Sequence, residues 1–257
     1  MYRVLFLGDV NGPQATDYVS SHLWQYRNDN KIDFVVANAE NCAQGNGIDR
    51  EQTGKLLAGG CDILTTGNHV FKKMMAKDML DENDDIIRPA NYPPEVPGVG
   101  YTIRRTGKFS ILVINVLGVV MMEPLDNPFR TVDKILSATA GKYDISLLDL
   151  HAETTSEKNA MAHYLDGRVT MICGTHTHVP TADERILPKG TAYITDAGMC
   201  GPDESVLGLT PECIIEKLTK NMPVRFILSD NPVTAHGLMT DIDETTKKAV
   251  YTQRIVF

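Results

Sequence analysis

The sequence predicts an α/β fold in which two β-sheets pack against each other and helices cover their outer faces. Its 257 residues, 42% of them hydrophobic and 23% charged, have the composition of a globular protein and a length normal for one α/β domain. Short apolar segments alternate with amphipathic ones in the first half, which indicates parallel βαβ units. A proline-rich interruption and a hairpin then indicate antiparallel strands, while the buried parallel strands need helices as cover. We therefore expect one domain that spans residues 1–257.

The elements of the first half follow from these patterns. Apolar segments rich in β-formers predict strands at 2–7, 33–37 and 62–65, and amphipathic segments predict helices at 14–27 and 50–57. The second helix is expected to end before Gly59 and Gly60, because glycine readily terminates helices. A further helix is expected to follow His69 and to run to about Leu80.

The rest of the chain is predicted to begin with a hairpin. Four prolines between positions 89 and 97 break the chain, and 100–105 and 109–117 are then predicted to pair around Gly107. Helix, strand, helix and strand follow at 132–140, 145–150, 156–165 and 169–173. Beyond Pro180 we expect mostly strands and turns, with one helix at 211–220 and a final pairing of 233–241 with 249–256.

The charge balance argues against one class of partners. The chain carries 25 Lys and Arg against 33 Asp and Glu, which gives a formal net charge of −8. An acidic surface opposes unspecific binding to a polyanion, so we expect no duplex nucleic acid as a partner. A local metal site could still bind one phosphate group, because bound cations dominate the field around them. The substrate can therefore be a small anion.

Cysteine usage and hydropathy predict a cytoplasmic protein. The five cysteines are odd in number and form no CxxC pair, which indicates neither a disulfide framework nor a zinc ribbon. The apolar run at 4–7 is far shorter than the apolar region of a signal peptide. No later run approaches the ~18 apolar residues of a membrane-spanning helix, so no membrane partner is expected.

Polar clusters directly follow five of the predicted strands. They are Gly8-Asp9, Asn38-Ala39-Glu40-Asn41, Gly67-Asn68-His69, His151 and Gly174-Thr175-His176-Thr177-His178. Asp9, Glu40 and Asn68 are separated by 31 and 28 residues, close to the ~30 residues of one βαβ unit. Each cluster should therefore lie at the carboxyl end of its strand, which is the edge where open α/β sheets bind ligands.

The side chains gathered there are typical of a transition-metal site. They comprise two carboxylates, two carboxamides and four imidazoles: Asp9, Glu40, Asn41, Asn68, His69, His151, His176 and His178. This mixture of oxygen and nitrogen donors suits Mn, Fe, Zn or Co better than Ca or Mg. The donors also outnumber the four of a closed structural zinc site, which favours two ions with a carboxylate shared between them.

Several of these side chains also have a purely structural interpretation. Asp9, after a strand and a glycine, could cap a helix or form a turn. Glu40 is harder to explain in this way, because glutamate is a poor turn former. Asn41 and Asn68 could cap the segments that follow them, since asparagine is a common turn residue.

The histidines divide in the same way. His69 could cap its helix, and His151 could be a hydrogen-bonded histidine at a buried strand end. His176 and His178 are two residues apart on an extended segment, so both rings can face one small site. Three others lack such a context and are interpreted as surface residues: His22, His163 and His236.

The clusters resemble the motifs of the metallophosphoesterase superfamily, which are Asp-x-His, Gly-Asp, Gly-Asn-His-Asp/Glu, His and Gly-His-x-His. The late motifs match, whereas Asn11 stands in place of the first histidine, Glu40 in place of the bridging aspartate, and Val70 in place of an acidic residue. Together with the segments GDVNG, ENCAQGNGI and DAGMCGPDESVLG, the first two of these departures resemble the YmdB-like branch of bacterial phosphodiesterases. The resemblance extends over essentially the whole chain and implies a metallophosphoesterase-type sandwich.

The resemblance implies a role for each residue. One ion would be held by Asp9, Glu40, Asn41 and His178, and the other by Glu40, Asn68, His151 and His176. Asn41 would replace the missing histidine as a ligand, and His69 would lie beside the reacting phosphate as the catalytic residue. Iron or manganese is expected as a pair of divalent or mixed-valence ions, with zinc as a third candidate.

The resulting hypothesis is a dinuclear phosphodiesterase that acts on 2′,3′-cyclic nucleotides or related phosphodiesters. A hydroxide that bridges the two ions would attack the phosphorus in line. Two alternatives remain open: a dinuclear amide or ester hydrolase, since the same ions polarise a carbonyl group, and a non-catalytic regulator that senses a nucleotide. Relatives in this branch tend to self-associate, so a homo-oligomer is also expected.

Overall fold

Two β-sheets pack face to face in the computed structural model, which describes residues 1–257, and helices cover both outer faces. The strands are β1 (Tyr2–Leu7), β2 (Asp9–Val10), β3 (Phe34–Asn38), β4 (Ile63–Thr65), β5 (Tyr101–Thr106), β6 (Phe109–Leu117), β7 (Ile145–His151), β8 (Met171–Thr175), β9 (Arg185–Ile186), β10 (Ala192–Ile194), β11 (Met199–Pro202), β12 (Val233–Thr234), β13 (His236–Ile242) and β14 (Ala249–Val256). The helices are α1 (Gly12–Asp29), α2 (Arg50–Ala58), α3 (Ala76–Glu82), α4 (Pro128–Ala138), α5 (Thr155–Leu165) and α6 (Pro211–Lys220). The predicted fold class is confirmed.

Both main sheets combine parallel strands with antiparallel ones. The five-stranded sheet has the order β14-β13-β1-β3-β4, with β1, β3 and β4 parallel and β13 antiparallel to both neighbours. The six-stranded sheet has the order β5-β6-β7-β8-β10-β9, with β6, β7, β8 and β10 parallel. The predicted hairpin forms its edge, since β5 pairs with β6 antiparallel across the turn at Gly107. The carboxyl ends of the parallel strands therefore lie along one edge of each sheet.

Alternation along each strand divides the core into three layers. Val4 and Phe6 of β1 point between the two sheets, where they pack with the inner face of the six-stranded sheet. Leu5 and Leu7 point the other way, into a layer that the sheet shares with α1, α2 and α3. The outer face of the six-stranded sheet forms the third layer with α4 and α5. Because both faces are covered, these four side chains are at most 1% exposed.

Local signals explain the helix that the sequence predicts best. The Asp49 side chain accepts a hydrogen bond from the Gln52 amide (2.9 Å), which caps the first turn of α2. The helix ends at Ala58, and Gly59 is its C-terminal cap, as predicted. Residues 211–220 likewise form α6 with the predicted bounds.

Three details of the prediction are wrong. A third, small sheet of β12, β11 and β2 stands beside the main ones, so Val233 and Thr234 pair with β11 and not with β14. The helix expected directly after His69 begins only at Ala76, because turns occupy the intervening residues and the His69 amide donates to Glu40 (3.1 Å). The next helix begins at 128 and not at 132.

Two further observations concern the whole chain. All five cysteines are free and buried. None of the six helices is both long enough and apolar enough to cross a lipid bilayer.

Candidate metal centre

The predicted side chains lie together where strands of the two main sheets end. β1, β3 and β4 lead into Asp9, Glu40 and Asn68 from one sheet, and β7 and β8 lead into His151 and His176 from the other. Because β1, β3 and β4 are parallel to one another, as are β7 and β8, their carboxyl ends converge. The strand order thus brings residues that are up to 167 positions apart within hydrogen-bonding distance.

Glu40 is the centre of the cluster. Its side chain is 1% exposed, and its Oε2 atom lies 3.2 Å from Nε2 of His151. Its Oε1 atom lies 3.2 Å from Nδ1 of His69 and accepts a hydrogen bond from the side-chain amide of Asn41 (2.7 Å). Both carboxylate oxygens therefore face other polar groups of the cluster.

The first group of atoms that could hold a metal ion contains Glu40, His151 and His176, whose candidate ligand atoms all lie within 4.8 Å of one another. Nε2 of His151 is 3.0 Å from Nδ1 of His176 and 3.0 Å from Oδ1 of Asn68. Two ring nitrogens and two side-chain oxygens thus converge on one small volume, which is the donor set of a transition-metal ion.

The second group contains Asp9, Glu40 and His178, again within 4.8 Å. Glu40 belongs to both groups. Oδ1 of Asp9 and Nδ1 of His178 are buried atoms without a hydrogen-bond partner. Leaving such atoms unsatisfied costs about 1–3 kcal/mol each, and a cation would remove that cost. The residues present therefore fit a metal ion at this position.

The electrostatics of the cluster point in the same direction. Burial raises the pKa of Asp9 to about 7 and lowers the pKa of His176 to about 4. Burial alone would raise the pKa of Glu40 and lower that of His151. Their mutual attraction instead holds the pKa of Glu40 well below its usual range and raises the pKa of His151 to about 9. A cation would offset the free-energy cost of burying these carboxylates in their charged form, as bound cations do in metal sites generally.

Asp149 orients His151 through a buried network that the sequence analysis missed. Its carboxylate accepts hydrogen bonds from Thr65 (2.5 Å), Thr175 (2.7 Å) and Asn38 (2.8 Å). Because the Thr175 hydroxyl donates to Asp149, its oxygen can accept a hydrogen bond from Nδ1 of His151 (2.9 Å). This arrangement leaves Nε2 of His151 as the nitrogen that faces Glu40 and His176. A lone carboxylate two residues before His151 in an apolar strand was the available signal.

Asp196 anchors the turn that carries the last two histidines. His176 and His178 both have left-handed backbone conformations, with φ of 96° and 64°. Such conformations cost non-glycine residues of order 1–3 kcal/mol and persist only where the surroundings hold them. Asp196 is fully buried and accepts hydrogen bonds from the Thr177 hydroxyl (2.6 Å), the Thr177 amide (3.1 Å) and Lys158 (2.9 Å).

Glu153 also contacts one of the candidate ligands. Its carboxylate lies 3.1 Å from Nε2 of His176, on the opposite side of the ring from Nδ1. A carboxylate bound to the second nitrogen fixes the orientation of a metal-binding histidine and makes it a better donor. Asp196 opens the segment DAGMCGPDESVLG, but no pattern in the sequence predicts the contacts that Glu153 and Asp196 make.

Asn11 does not join the candidate ligands, although it stands where the superfamily has a histidine. Its side-chain amide donates a hydrogen bond to the Leu207 carbonyl (2.9 Å) and contacts the sulfur of Met199 (3.3 Å). This residue therefore fastens the loop after β11 to the edge of the site.

A cavity of about 620 Å³ opens over the cluster. Its polar lining includes Glu40, Asn41, His69, His176 and His178. Four apolar residues also line it and are hereafter called the apolar wall: Leu207, Leu209, Phe226 and Leu228. The volume lies within the ~300–1,000 Å³ range of small-molecule sites.

The eight predicted site residues thus all lie in one cluster, and five of them line this cavity: Glu40, Asn41, His69, His176 and His178. His22 and His163, interpreted as surface residues, are exposed. His236 is a partial exception, because its side chain is only 15% exposed and its Nε2 atom lies 2.9 Å from Oδ1 of Asp203.

The fold is that of the metallophosphoesterase-type phosphatases, which are among the structural neighbours of the chain. A crystal structure of a phosphatase from Mycoplasma pneumoniae superposes on this chain with a TM-score of 0.92 at 36% identity, covering all of this chain and 93% of that one. The crystal structure of a hypothetical protein from Thermus thermophilus also has a TM-score of 0.92, at 39% identity and 99% and 98% coverage.

The family follows from the sequence comparison. The model of the YmdB-like protein family matches residues 5–255, and the chain belongs to this family. It is 42% identical over 254 residues to the 2′,3′-cyclic-nucleotide 2′-phosphodiesterase of Bacillus subtilis (strain 168), with coverage of 99% of this chain and 96% of that protein. The predicted resemblance is confirmed.

Proposed function

We propose that the chain is a metal-dependent phosphodiesterase that holds two transition-metal ions and hydrolyses 2′,3′-cyclic nucleotides or related phosphodiesters. The observation that carries this proposal is the position of Glu40, which belongs to both groups of metal-binding atoms. A carboxylate that belongs to both groups can serve as the shared ligand that a dinuclear site requires. The activity of the Bacillus relative supports the choice of substrate.

The residues divide into two ligand sets in this proposal. One ion would be held by Asp9, Glu40, Asn41 and His178, and the other by Glu40, Asn68, His151 and His176. When bound, divalent transition-metal ions polarise phosphoryl oxygens and lower the pKa of water, which is the chemistry that phosphodiester hydrolysis needs. The mixed oxygen and nitrogen donors favour iron or manganese, with zinc as a third candidate.

Asn41 needs a rearrangement to serve as a ligand. Its carboxamide oxygen lies 2.9 Å from Nδ1 of His69, and its amide donates to Glu40 (2.7 Å). Coordination would replace the contact with His69. Asn41→Ala should therefore weaken binding of one ion, measured by metal titration, and unchanged affinity would exclude Asn41 as a ligand.

His69 is the residue that we assign to proton transfer. It is 30% exposed, it lines the cavity, and its Nδ1 atom is engaged by Glu40 and Asn41. Nε2 is therefore the nitrogen available to a substrate. In the protonated form, His69 would stabilise the charge that develops on the phosphate or donate a proton to the leaving ribose oxygen. Such a contribution amounts to ~10²- to 10⁴-fold in rate.

A substitution of His69 tests this assignment. His69→Ala should retain both ions but lose about 10²- to 10⁴-fold in kcat on 2′,3′-cyclic AMP. His163→Ala is the matched control, because this histidine is exposed and lies on α5 outside the cavity. Full activity of His69→Ala would refute the catalytic role.

A substrate panel tests the reaction class. The metal-loaded enzyme should hydrolyse a cyclic diester faster than a linear diester, a phosphomonoester or an acyl ester. Preference for the acyl ester would instead make the chain a dinuclear ester or amide hydrolase. A single-turnover measurement that returns the cyclic nucleotide unchanged would make it a sensor.

Two further expectations belong to the same proposal. The five buried, unpaired cysteines are consistent with a reducing compartment, and we place the protein in the cytoplasm.

A homo-oligomer is proposed because two apolar residues of α6 are exposed to solvent, Ile215 to 58% and Leu218 to 75%. Sedimentation velocity at micromolar concentration tests this, and a purely monomeric profile would contradict it.

A further inference from the structure

We propose that the apolar wall of the cavity binds the nucleobase of the substrate. This inference rests on the proposed function, because it assigns a subsite to a cyclic nucleotide whose phosphate reacts at the metal centre. The wall and several of the candidate ligands line the same cavity, whose lining includes Leu207 and Phe226 as well as Glu40 and His176. The part of the substrate beyond the phosphate and ribose would therefore meet the wall.

The wall is held in place by backbone hydrogen bonds. Leu209 and Leu228 form an antiparallel bridge, and the Ser229 amide donates to the Gly208 carbonyl (2.9 Å). The Thr210 amide donates to the Ile227 carbonyl (2.8 Å), which continues the same pairing. These hydrogen bonds join residues 208–210 to residues 227–229, directly after Phe226, and a surface that is already ordered loses little entropy when it binds a ligand.

Asn11 connects this surface to the metal centre. Its amide donates to the Leu207 carbonyl (2.9 Å), and Leu207 has a left-handed backbone with φ of 53°. The adjacent Gly208 also has positive φ, and a Cβ atom at that position would overlap the Asn11 side chain. Asn11 itself follows Asp9 by two residues, so the wall stands at a fixed position relative to the candidate ligands.

Two residues of the wall expose apolar area that a ligand could cover. Phe226 is 51% exposed and Leu207 is 48% exposed, although both belong to this fixed surface. The ammonium group of Lys217 lies over the Phe226 ring, 4.5 Å from its centroid, and makes a cation–π contact with it. A nucleobase is planar and has an apolar face, so stacking on such a ring is favourable for every base.

Polar residues of the same cavity can contact the edge of the base. Gln44 and Asn46 also line it, and their carboxamides offer hydrogen-bond donors and acceptors. Gly45, Asn46 and Gly47 all have positive φ, and the Ala43 amide donates to the Gly47 carbonyl (3.0 Å), which closes this loop. A base in this cavity would therefore meet both apolar and polar side chains.

The test compares two cyclic diesters, of which only one carries a base. For 2′,3′-cyclic AMP, Phe226→Ala should raise KM about tenfold, within the range that base–aromatic stacking supplies, and should leave kcat within about twofold. For glycerol 1,2-cyclic phosphate, which has no base, neither constant should change by more than about twofold. Tyr251→Ala is the matched control, because Tyr251 is an aromatic residue that is 49% exposed on β14 and does not line the cavity.

Equal effects of Phe226→Ala on both substrates, or no effect on either, would overturn the proposal while the proposed function stands. If the wild-type enzyme hydrolyses neither diester, the proposed function fails. Titration calorimetry with adenosine then tests whether the apolar wall binds a nucleobase. Loss of adenosine binding in Phe226→Ala supports the wall as a base site. Equal binding by both proteins, or binding by neither, overturns it.

Discussion

Replacing Asp196 by asparagine should loosen the turn that carries His176 and His178. Asp196 is fully buried, and its Oδ2 atom accepts hydrogen bonds from the Thr177 amide and hydroxyl and from Lys158. The substitution preserves the shape of the side chain but removes its charge and leaves one oxygen for all surrounding donors. Lys158, whose side chain is 1% exposed, then becomes a buried ammonium group without a counter-ion.

The expected magnitude follows from this burial. Removing one partner of a buried ion pair costs about 3–5 kcal/mol, because the other charge stays desolvated. A domain is stable by about 5–15 kcal/mol, so Asp196→Asn should fold but unfold at a lower urea concentration. The Asp133–Arg168 pair is the matched control, since its side chains are 36% and 42% exposed. Asp133→Asn should therefore cost less than about 1 kcal/mol.

Urea unfolding of the metal-free proteins, followed by circular dichroism, measures both losses. The double variant Lys158→Met with Asp196→Asn should regain more than half of the lost stability, because it contains no unpaired buried charge. Metal titration should show about tenfold weaker binding by Asp196→Asn, since the anchor of two candidate ligands is gone. A loss of stability below about 1 kcal/mol, or a double variant no more stable than the single one, would refute the reasoning.

Three other predictions follow from the structure. Gly67→Ala should weaken metal binding at least about tenfold in titrations, because a Cβ atom there would overlap Oε2 of Glu40 and Nε2 of His151. Gly54→Ala is the control, because Gly54 lies in α2 and a Cβ atom there would meet no neighbouring group within 4 Å. This variant should bind metal normally and be about 0.5–1 kcal/mol more stable to unfolding. Equal metal binding by the two variants would contradict this account. Metal at about 100 times its Kd should raise Tm by roughly 5–10 °C over the chelator-treated protein in calorimetry, and an unchanged Tm would speak against a folded-state site. Native protein at pH 8 should not react with Ellman's reagent, because all five cysteines are buried and burial raises the pKa of the thiols of Cys42, Cys61, Cys173 and Cys200. All five thiols should react in denaturant. Rapid labelling without denaturant would contradict this prediction.

The sequence predicts those parts of the fold that depend on local signals. The bounds of α2 follow from Asp49 and Gly59, which are adjacent to the helix that they cap. The third sheet could not be predicted in this way, because β2 and β12 have only two residues each and show no periodicity. The late start of α3 depends on the contact between the His69 amide and Glu40, which are 29 positions apart.

The same distinction applies to the site. The residues directly after parallel strands could be found, because the topology of a parallel sheet brings strand ends together. Asp149 sits inside a strand, and its partners Asn38, Thr65 and Thr175 come from three other strands. Asp196 supports a turn 19 positions away. Such supporting contacts depend on the register of one element against another, which no single stretch of sequence encodes.

The dinuclear site is the central claim, and metal analysis of protein loaded with manganese and then freed of unbound metal tests it most directly. Two ions per chain are expected for the wild type, one for Asp9→Ala and one for His176→Ala, because each of these residues belongs to a single group of metal-binding atoms. Glu40→Ala should retain neither ion tightly, since Glu40 belongs to both groups. A wild-type chain that holds fewer than two ions, or a Glu40→Ala chain that still holds two, would contradict the account.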